Sequence, residues 1–277
     1  MTPSGTDNID AFTAFEHEGW QNVGKPYADY FGGLTTQSIE PLLDAVEVSP
    51  GTRVLDVASG PGYVAAAAAR RQASVVGLDF SSAMVAQASQ RYPGIEFRVG
   101  SALDLPFPEA SFDATVIGFG MLHFAQPDQA LAEACRVLRR GGRVGFTVWA
   151  KPDRALAFGI LTKAVQAHGD MNVPLPQGPP FFRFSEPQEC IDTLGRLGFA
   201  QTRTVEVAQV WKLASPATLF DAFWQSTVRF GALLRAQAPD ALVRIRTAVE
   251  SAAKEYQHPS GEIELPMPAM LTCGVKA

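Results

Sequence analysis

The chain has 277 residues, 47% hydrophobic and 18% charged, with a formal net charge of −5 at pH 7. This is a globular composition with ample core, long enough for one large domain or two small ones. It lacks the basic face of a nucleic-acid binder, any run of membrane-span length, a signal-peptide pattern and a metal or disulfide spacing among Cys135, Cys190 and Cys273, so the expectation is a cytoplasmic protein with no nucleic-acid or membrane partner and no metal.

In chain order, Met1–Asn8 reads as disordered and Ile9–Glu18 as a helix with Phe12 and Phe15 on one side. Trp20, Tyr27, Tyr30 and Phe31 follow, interrupted by Gly24 and Pro26. Such a stretch is too aromatic for a linker. It either packs an N-terminal arm onto the domain or forms a lid with Trp20, Tyr27 or Tyr30 facing a ligand. Ile39, Leu42, Leu43 and Val46 have helical spacing, which predicts a helix over Thr36–Val46.

Val54-Leu55-Asp56-Val57 is a short strand, Ala58-Ser59-Gly60-Pro61-Gly62 a tight turn, and Tyr63–Arg71 an alanine-rich helix. This places backbone N–H groups and the positive end of a helix at the C-terminal edge of a strand, where open parallel sheets bind ligands. Gly60-x-Gly62-x-x-Ala65 also fits the looser dinucleotide fingerprint. Asp56 argues otherwise: a carboxylate at the mouth of the strand repels a pyrophosphate and attracts an ammonium or sulfonium. S-adenosylmethionine (SAM) has that charge pattern and carries no phosphate.

Ser74–Leu78 is the second strand, ending in Asp79 about 20 residues past the turn, the spacing at which a carboxylate reaches a ribose. The competing role for this region is capping of the next helix by Ser81 or Ser82. Ile95–Val99 is the third strand. In Gly100–Pro108, Ala102 and Leu103 suit an apolar slot for an aromatic base, with Ser101 at its edge. Phe112–Gly118 is the fourth strand, followed by Phe119–Phe124 with His123, a helix over Asp128–Arg140 stopped by Gly141-Gly142, and a fifth strand at Arg143–Trp149. Five alternations of strand and helix predict a doubly wound parallel sheet.

Beyond Pro152 the pattern loosens. A helix is expected over Arg154–His168, then a Pro/Gly-rich loop with Phe181 and Phe182, then a helix opened by a capping box at Ser185–Gln188. Thr202–Val210 reads as strand six, Pro216–Leu234 and Pro239–Tyr256 as two amphipathic helices, and Ala269–Val275 as the last strand.

Together, Val54–Gly62, Val76–Ser81, Ala102–Asp113 and Val137–Gly142 resemble the class I SAM-dependent methyltransferases, in the small-molecule (type 11) group, over about Pro50–Trp149. The resemblance implies an α/β fold: a doubly wound, seven-stranded Rossmann-like sheet, its last strand antiparallel between strands five and six, with a helical cap. The division then runs 1–48 as a helical arm or lid, 49–150 as the SAM-binding core, and 151–277 as cap segments plus strands six and seven. By motif, Asp56, Ala58, Ser59, Gly60 and Gly62 would hold the methionine part of SAM. Asp79 would take the ribose with Phe80 and Met84 against the ring, Ser101, Ala102 and Leu103 would hold the adenine, and Gly118 would meet the ammonium near Phe119. Ala58 stands where the family often has Gly, and Ser101 where it often has an acid.

The implied reaction is in-line methyl transfer to an O, N or C atom of a small molecule, leaving S-adenosylhomocysteine. His123, just past a strand edge, is the candidate base for an oxygen acceptor, against a packing or SAM-contact role. Trp20, Tyr27, Tyr30, Trp149 and Phe181 are the candidate acceptor and lid residues, pointing to an apolar or aromatic acceptor. The alternatives are an NAD-dependent oxidoreductase using the same turn and a non-catalytic SAM-binding protein.

Overall fold

A computed structural model describes residues 5–277, with side chains from residue 9 onward. The expected disorder of Met1–Asn8 lies, for residues 1–4, outside the described residues. Helix α1 (Gly5–Asn22) already begins within that stretch, and α2 (Gly24–Tyr30), α3 (Gly32–Thr35) and, after a 3-10 turn, α4 (Ile39–Ala45) follow it. The alternating section is β1 (Arg53–Val57), α5 (Tyr63–Arg70), β2 (Ser74–Asp79), α6 (Ser82–Arg91), β3 (Glu96–Val99), β4 (Phe112–Gly118), α7 (Pro127–Val137) and β5 (Leu138–Trp149). The remainder is α8 (Leu156–His168), α9 (Pro187–Arg196), β6 (Phe199–Val207), β7 (Val210–Leu213), α10 (Pro216–Ser226), α11 (Arg229–Arg235), α12 (Pro239–Ala253), β8 (Ile263–Pro266) and β9 (Ala269–Lys276).

Seven strands form one sheet in the order β3-β2-β1-β4-β5-β9-β6. β1 pairs in parallel with both β2 and β4, and β9 runs antiparallel between β5 and β6. The strand order therefore reverses between β1 and β4, opening a crevice at their C-terminal ends. Strand alternation explains the layers. Leu55 and Val57 pack on one face with Leu131 and Ala134 of α7, whereas Val54 packs on the other with Leu42, Leu43, Ala67 and Ala68. A third cluster joins Phe31, Trp149, Phe158, Trp211 and Phe223 beyond the strand ends.

Several local expectations change. Helix α7 stops at Val137, because fully buried Leu138 already pairs with Phe112 in β4. Gly141 (φ 73°) and Gly142 lie inside β5 at its register shift, and a Cβ on Gly142 would sit 2.8 Å from the Arg139 carbonyl oxygen, so these glycines serve a strand bulge rather than a helix stop. Ser185 caps nothing: its hydroxyl donates to the Trp149 carbonyl at 2.7 Å, and Pro187 opens α9 at its first turn.

Strand six ends at Val207. Val210 instead starts β7, which pairs antiparallel with β8, a four-residue strand ending in Pro266 that carries too little pattern to be read from sequence. The expected helix Pro216–Leu234 is broken at Thr227, which is extended. The Thr227 hydroxyl donates to the Phe223 carbonyl at 2.7 Å and accepts from the Gly231 N–H at 2.9 Å, satisfying groups that the break frees. The link from β6 to β9 thus carries three helices and a two-stranded sheet rather than two helices.

The turn after β1 supplies a test of the fold. Gly62 has φ 83°, and a Cβ there would lie 2.8 Å from the Phe97 ring; Gly51 has φ 81° with open space around it. Gly62→Ala is expected to cost about 1–3 kcal/mol of stability, and Gly51→Ala about 1. Chemical denaturation of the pair separates the steric part from the backbone part, and equal losses would refute the contact with Phe97.

Candidate active site

The site is built around the N-terminus of α5. Gly62 occupies the N-cap position and has no side chain to offer, so Asp56 reaches across from β1: its Oδ2 accepts from the Ala65 N–H at 2.9 Å. The other oxygen, Oδ1, has no partner among the described residues although Asp56 is 1% exposed, and it belongs to a residue lining the large cavity at the switch point. Burial pushes the Asp56 carboxyl up to about 8, against which the Ala65 hydrogen bond works only partly.

Asp79, at the end of β2, holds two backbone groups. Its Oδ2 accepts from the Gly60 N–H at 2.8 Å and its Oδ1 from the Ser81 N–H at 2.9 Å. Each oxygen retains acceptor capacity, and Asp79 lines the cavity. Burial raises the carboxyl to about 6. Ser81 does cap α6, accepting from the Met84 N–H at 3.3 Å, so the capping role falls to Ser81 while Asp79 is left for the turn and the cavity.

Ala58, Ser59, Gly60, Phe80, Met84, Ser101, Ala102, Leu103, Gly118 and Phe119 also line this cavity. The Ser59 hydroxyl is a second buried group without a partner among the described residues. Ala58 adopts φ 56°, an unusual conformation for alanine, and its methyl occupies space that Gly120 leaves open: a Cβ on Gly120 would lie 2.7 Å from it. Phe119, at φ 57°, donates its N–H to the Thr147 carbonyl at 3.0 Å and sets its ring 4.2 Å from that of Trp149. A bulky residue held there stores strain, a feature that concentrates at ligand sites.

Two expected residues are not brought to the cavity wall. Gly62 is required by backbone geometry and by Phe97, as above, and lies behind the turn. Tyr30 packs against the Phe31–Trp211 cluster, with its carbonyl accepting from the Trp211 indole N–H at 2.9 Å. Trp20, Tyr27, Trp149 and Phe181 do line the cavity, joined by Phe31, Phe158 and Phe230. Burial pushes the Tyr27 phenol up to about 12, which keeps it a neutral hydrogen-bonding group.

His123 lines the same space. Its Nδ1 lies 2.9 Å from Oε2 of Glu16, which is fully buried in α1 and also accepts from the Trp20 indole N–H at 3.2 Å. The Trp20 ring meets the imidazole edge-on at 4.8 Å. With Nδ1–H donating to Glu16, the Nε2 lone pair is left free. Sequence reading missed Glu16, Arg229 and Gly120. An acid one helical turn after Phe12 on an apolar face was the available signal for Glu16.

The residues fit SAM. The unpartnered Asp56 oxygen suits a cation, Asp79 suits a diol, and Ala102 and Leu103 form an apolar slot. A pyrophosphate at the turn would instead meet the Asp56 carboxylate.

Residues 55–146 match the family model described as a methyltransferase domain. Demethylmenaquinone methyltransferase of Renibacterium salmoninarum is 42% identical over 120 residues, which is 43% of this chain and 51% of that protein. The chain thus spans about half the length of that relative. The structure of YcgJ protein from Bacillus subtilis superposes with a TM-score of 0.58 at 20% identity, covering 86% of this chain and 97% of that one. Phosphoethanolamine N-methyltransferase 2 of Haemonchus contortus, in complex with S-adenosyl-L-methionine, gives 0.52 at 17% identity over 86% of this chain and 52% of that one. No helix among the described residues is long and apolar enough to cross a membrane. Residues 55–146 thus match a methyltransferase domain, and the chain has the α/β fold of these solved structures.

Proposed function

We propose that the protein transfers a methyl group from SAM to a small acceptor with an apolar or aromatic body. The observation that carries this reading is the buried, unpartnered Oδ1 of Asp56, a residue that lines, beside the glycine turn, a cavity also lined by aromatic side chains. SAM would supply the electrophilic methyl group. Asp56 would hold its ammonium, the turn at Ala58–Gly60 its methionine part, Asp79 its ribose, and Ala102 and Leu103 its adenine.

The chain's own contribution is positioning, exclusion of water and proton removal. Trp20, Tyr27, Trp149 and Phe181 enclose the acceptor, and orientation of two bound reactants is worth on the order of 7–11 kcal/mol. His123, oriented by Glu16, takes the proton of a hydroxyl acceptor through Nε2. In this reading the N-terminal helices are a lid, residues 49–150 the cofactor core, and 151–277 the cap and sheet completion. The name of the relatives, demethylmenaquinone methyltransferase, agrees with a ring-bearing acceptor.

Incubation with methyl-labelled SAM and a panel of phenols, quinols and aromatic acids tests this. Label in an acceptor and formation of S-adenosylhomocysteine are expected. SAM bound without transfer to any acceptor would favour a non-catalytic binding protein.

A further inference from the structure

The two carboxylates of the cavity wall, Asp56 and Asp79, stand at the glycine turn. Among the described lining residues there is one lysine or arginine, Arg229 at the start of α11. Its guanidinium lies 5.3 Å from the ring centroid of Phe12 and 5.4 Å from that of Phe181. Of its five N–H donors, Nη1 has a hydrogen bond, to the Pro179 carbonyl at 3.3 Å. No ion pair joins it to a carboxylate among the described residues within 4.0 Å.

Glu16 is the acid that acts on Arg229 from a distance: its Oε2 is engaged by His123 and Trp20, and its buried Oε1 is free but forms no ion pair with the guanidinium within 4.0 Å. Burial pushes the guanidinium below its ordinary value, so its setting disfavours the charge that arginine cannot readily lose. Two aromatic faces steady the cation without satisfying its remaining donors. A desolvated, unpaired cation in an apolar wall is costly unless a ligand pairs with it. The contacts of Arg229 are with Phe12, Phe181 and Pro179, none of them in the glycine turn.

We infer that Arg229 binds a carboxylate of the methyl acceptor, which makes the acceptor an aromatic acid rather than a neutral ring. The inference rests on the methyltransferase reading. A planar guanidinium matches a carboxylate with two parallel hydrogen bonds. Phe181 and Phe230 flank the ring of the acid, and a hydroxyl on the same molecule would meet the cavity that His123 lines. The positive end thus selects the acceptor, and the negative end selects the cofactor.

Calorimetry on the protein saturated with S-adenosylhomocysteine tests this with salicylate, 4-hydroxybenzoate and 1-hydroxy-2-naphthoate against their methyl esters. The expected result is binding of at least one acid about tenfold or more tighter than its ester. Arg229→Met should remove that preference and leave S-adenosylhomocysteine affinity unchanged, while Arg229→Lys keeps part of it. The acid–ester comparison in the unaltered protein stands even if the Met variant does not fold. Normal S-adenosylhomocysteine binding with no acid preferred, or with a preference that survives Arg229→Met, overturns the assignment and leaves the methyltransferase reading intact. Loss of cofactor affinity in Arg229→Met would instead place Arg229 on the cofactor. Failure of S-adenosylhomocysteine to bind the unaltered protein would remove both readings.

Discussion

His123→Ala is expected to lower turnover with a hydroxyl acceptor by about 10²–10⁴-fold, the usual contribution of a positioned base. SAM affinity should change by less than about threefold, because the charged contacts proposed for SAM lie on Asp56 and Asp79. Glu16→Gln should act in the same direction and less strongly, since Gln can still accept from Nδ1–H but carries no charge to support the imidazolium. The discriminating readout is the pH profile. As a phenolic acceptor ionises on its own at high pH, the rate of His123→Ala should climb toward that of the unaltered enzyme. A constant deficit across pH would reduce His123 to a packing residue, and unchanged turnover would remove it as the base.

Asp56 should make cofactor binding depend on pH. Its carboxyl is pushed to about 8, and a cationic ligand binds the ionised form. Affinity for SAM should therefore rise from pH 6 toward 8, by up to about tenfold per unit, and fall again above as the ligand's own ammonium loses its proton at about 8. Asp56→Asn should weaken binding by about 10–100-fold at pH 8, the worth of a charge-assisted hydrogen bond. It should also flatten the pH dependence.

The ligand-free protein should show the opposite sign in stability. A carboxyl with its folded value above its unfolded value binds more protons when folded, so its contribution to stability falls as pH rises from about 4 to 8. Asp79 acts in the same direction only up to about 6. Between pH 6.5 and 8, unaltered protein should lose melting temperature relative to Asp56→Asn. Thermal unfolding in that window checks it, and parallel curves would mean that Asp56 is already ionised in the fold.

Asp56 and Asp79 were legible because strand, turn and spacing are local. Each sits at the end of a short apolar run, and the sheet places both ends at the switch point. The elements that were misread depend on distant partners. Leu138 left its helix because Phe112 pairs with it, and Val210 left strand six because Pro266 does. Thr227 breaks a continuous apolar stripe through hydroxyl bonds that periodicity does not encode. Glu16 and His123 are 107 positions apart, and only the fold makes them a pair. Gly62 and Tyr30 differ in the opposite sense: motif and composition mark them for the ligand, whereas neither lines the cavity and a positive φ and a core contact account for them.

The most direct test of the central claim is thermal unfolding of the protein with SAM, S-adenosylhomocysteine and NAD in parallel. A ligand at about 100 times its Kd adds roughly 2.7 kcal/mol, which for a chain of this size is a shift on the order of several degrees. The account predicts such a shift with SAM and with S-adenosylhomocysteine, and none with NAD. A shift with NAD alone would mean that a pyrophosphate settles beside Asp56, and the assignment of the whole site would be contradicted.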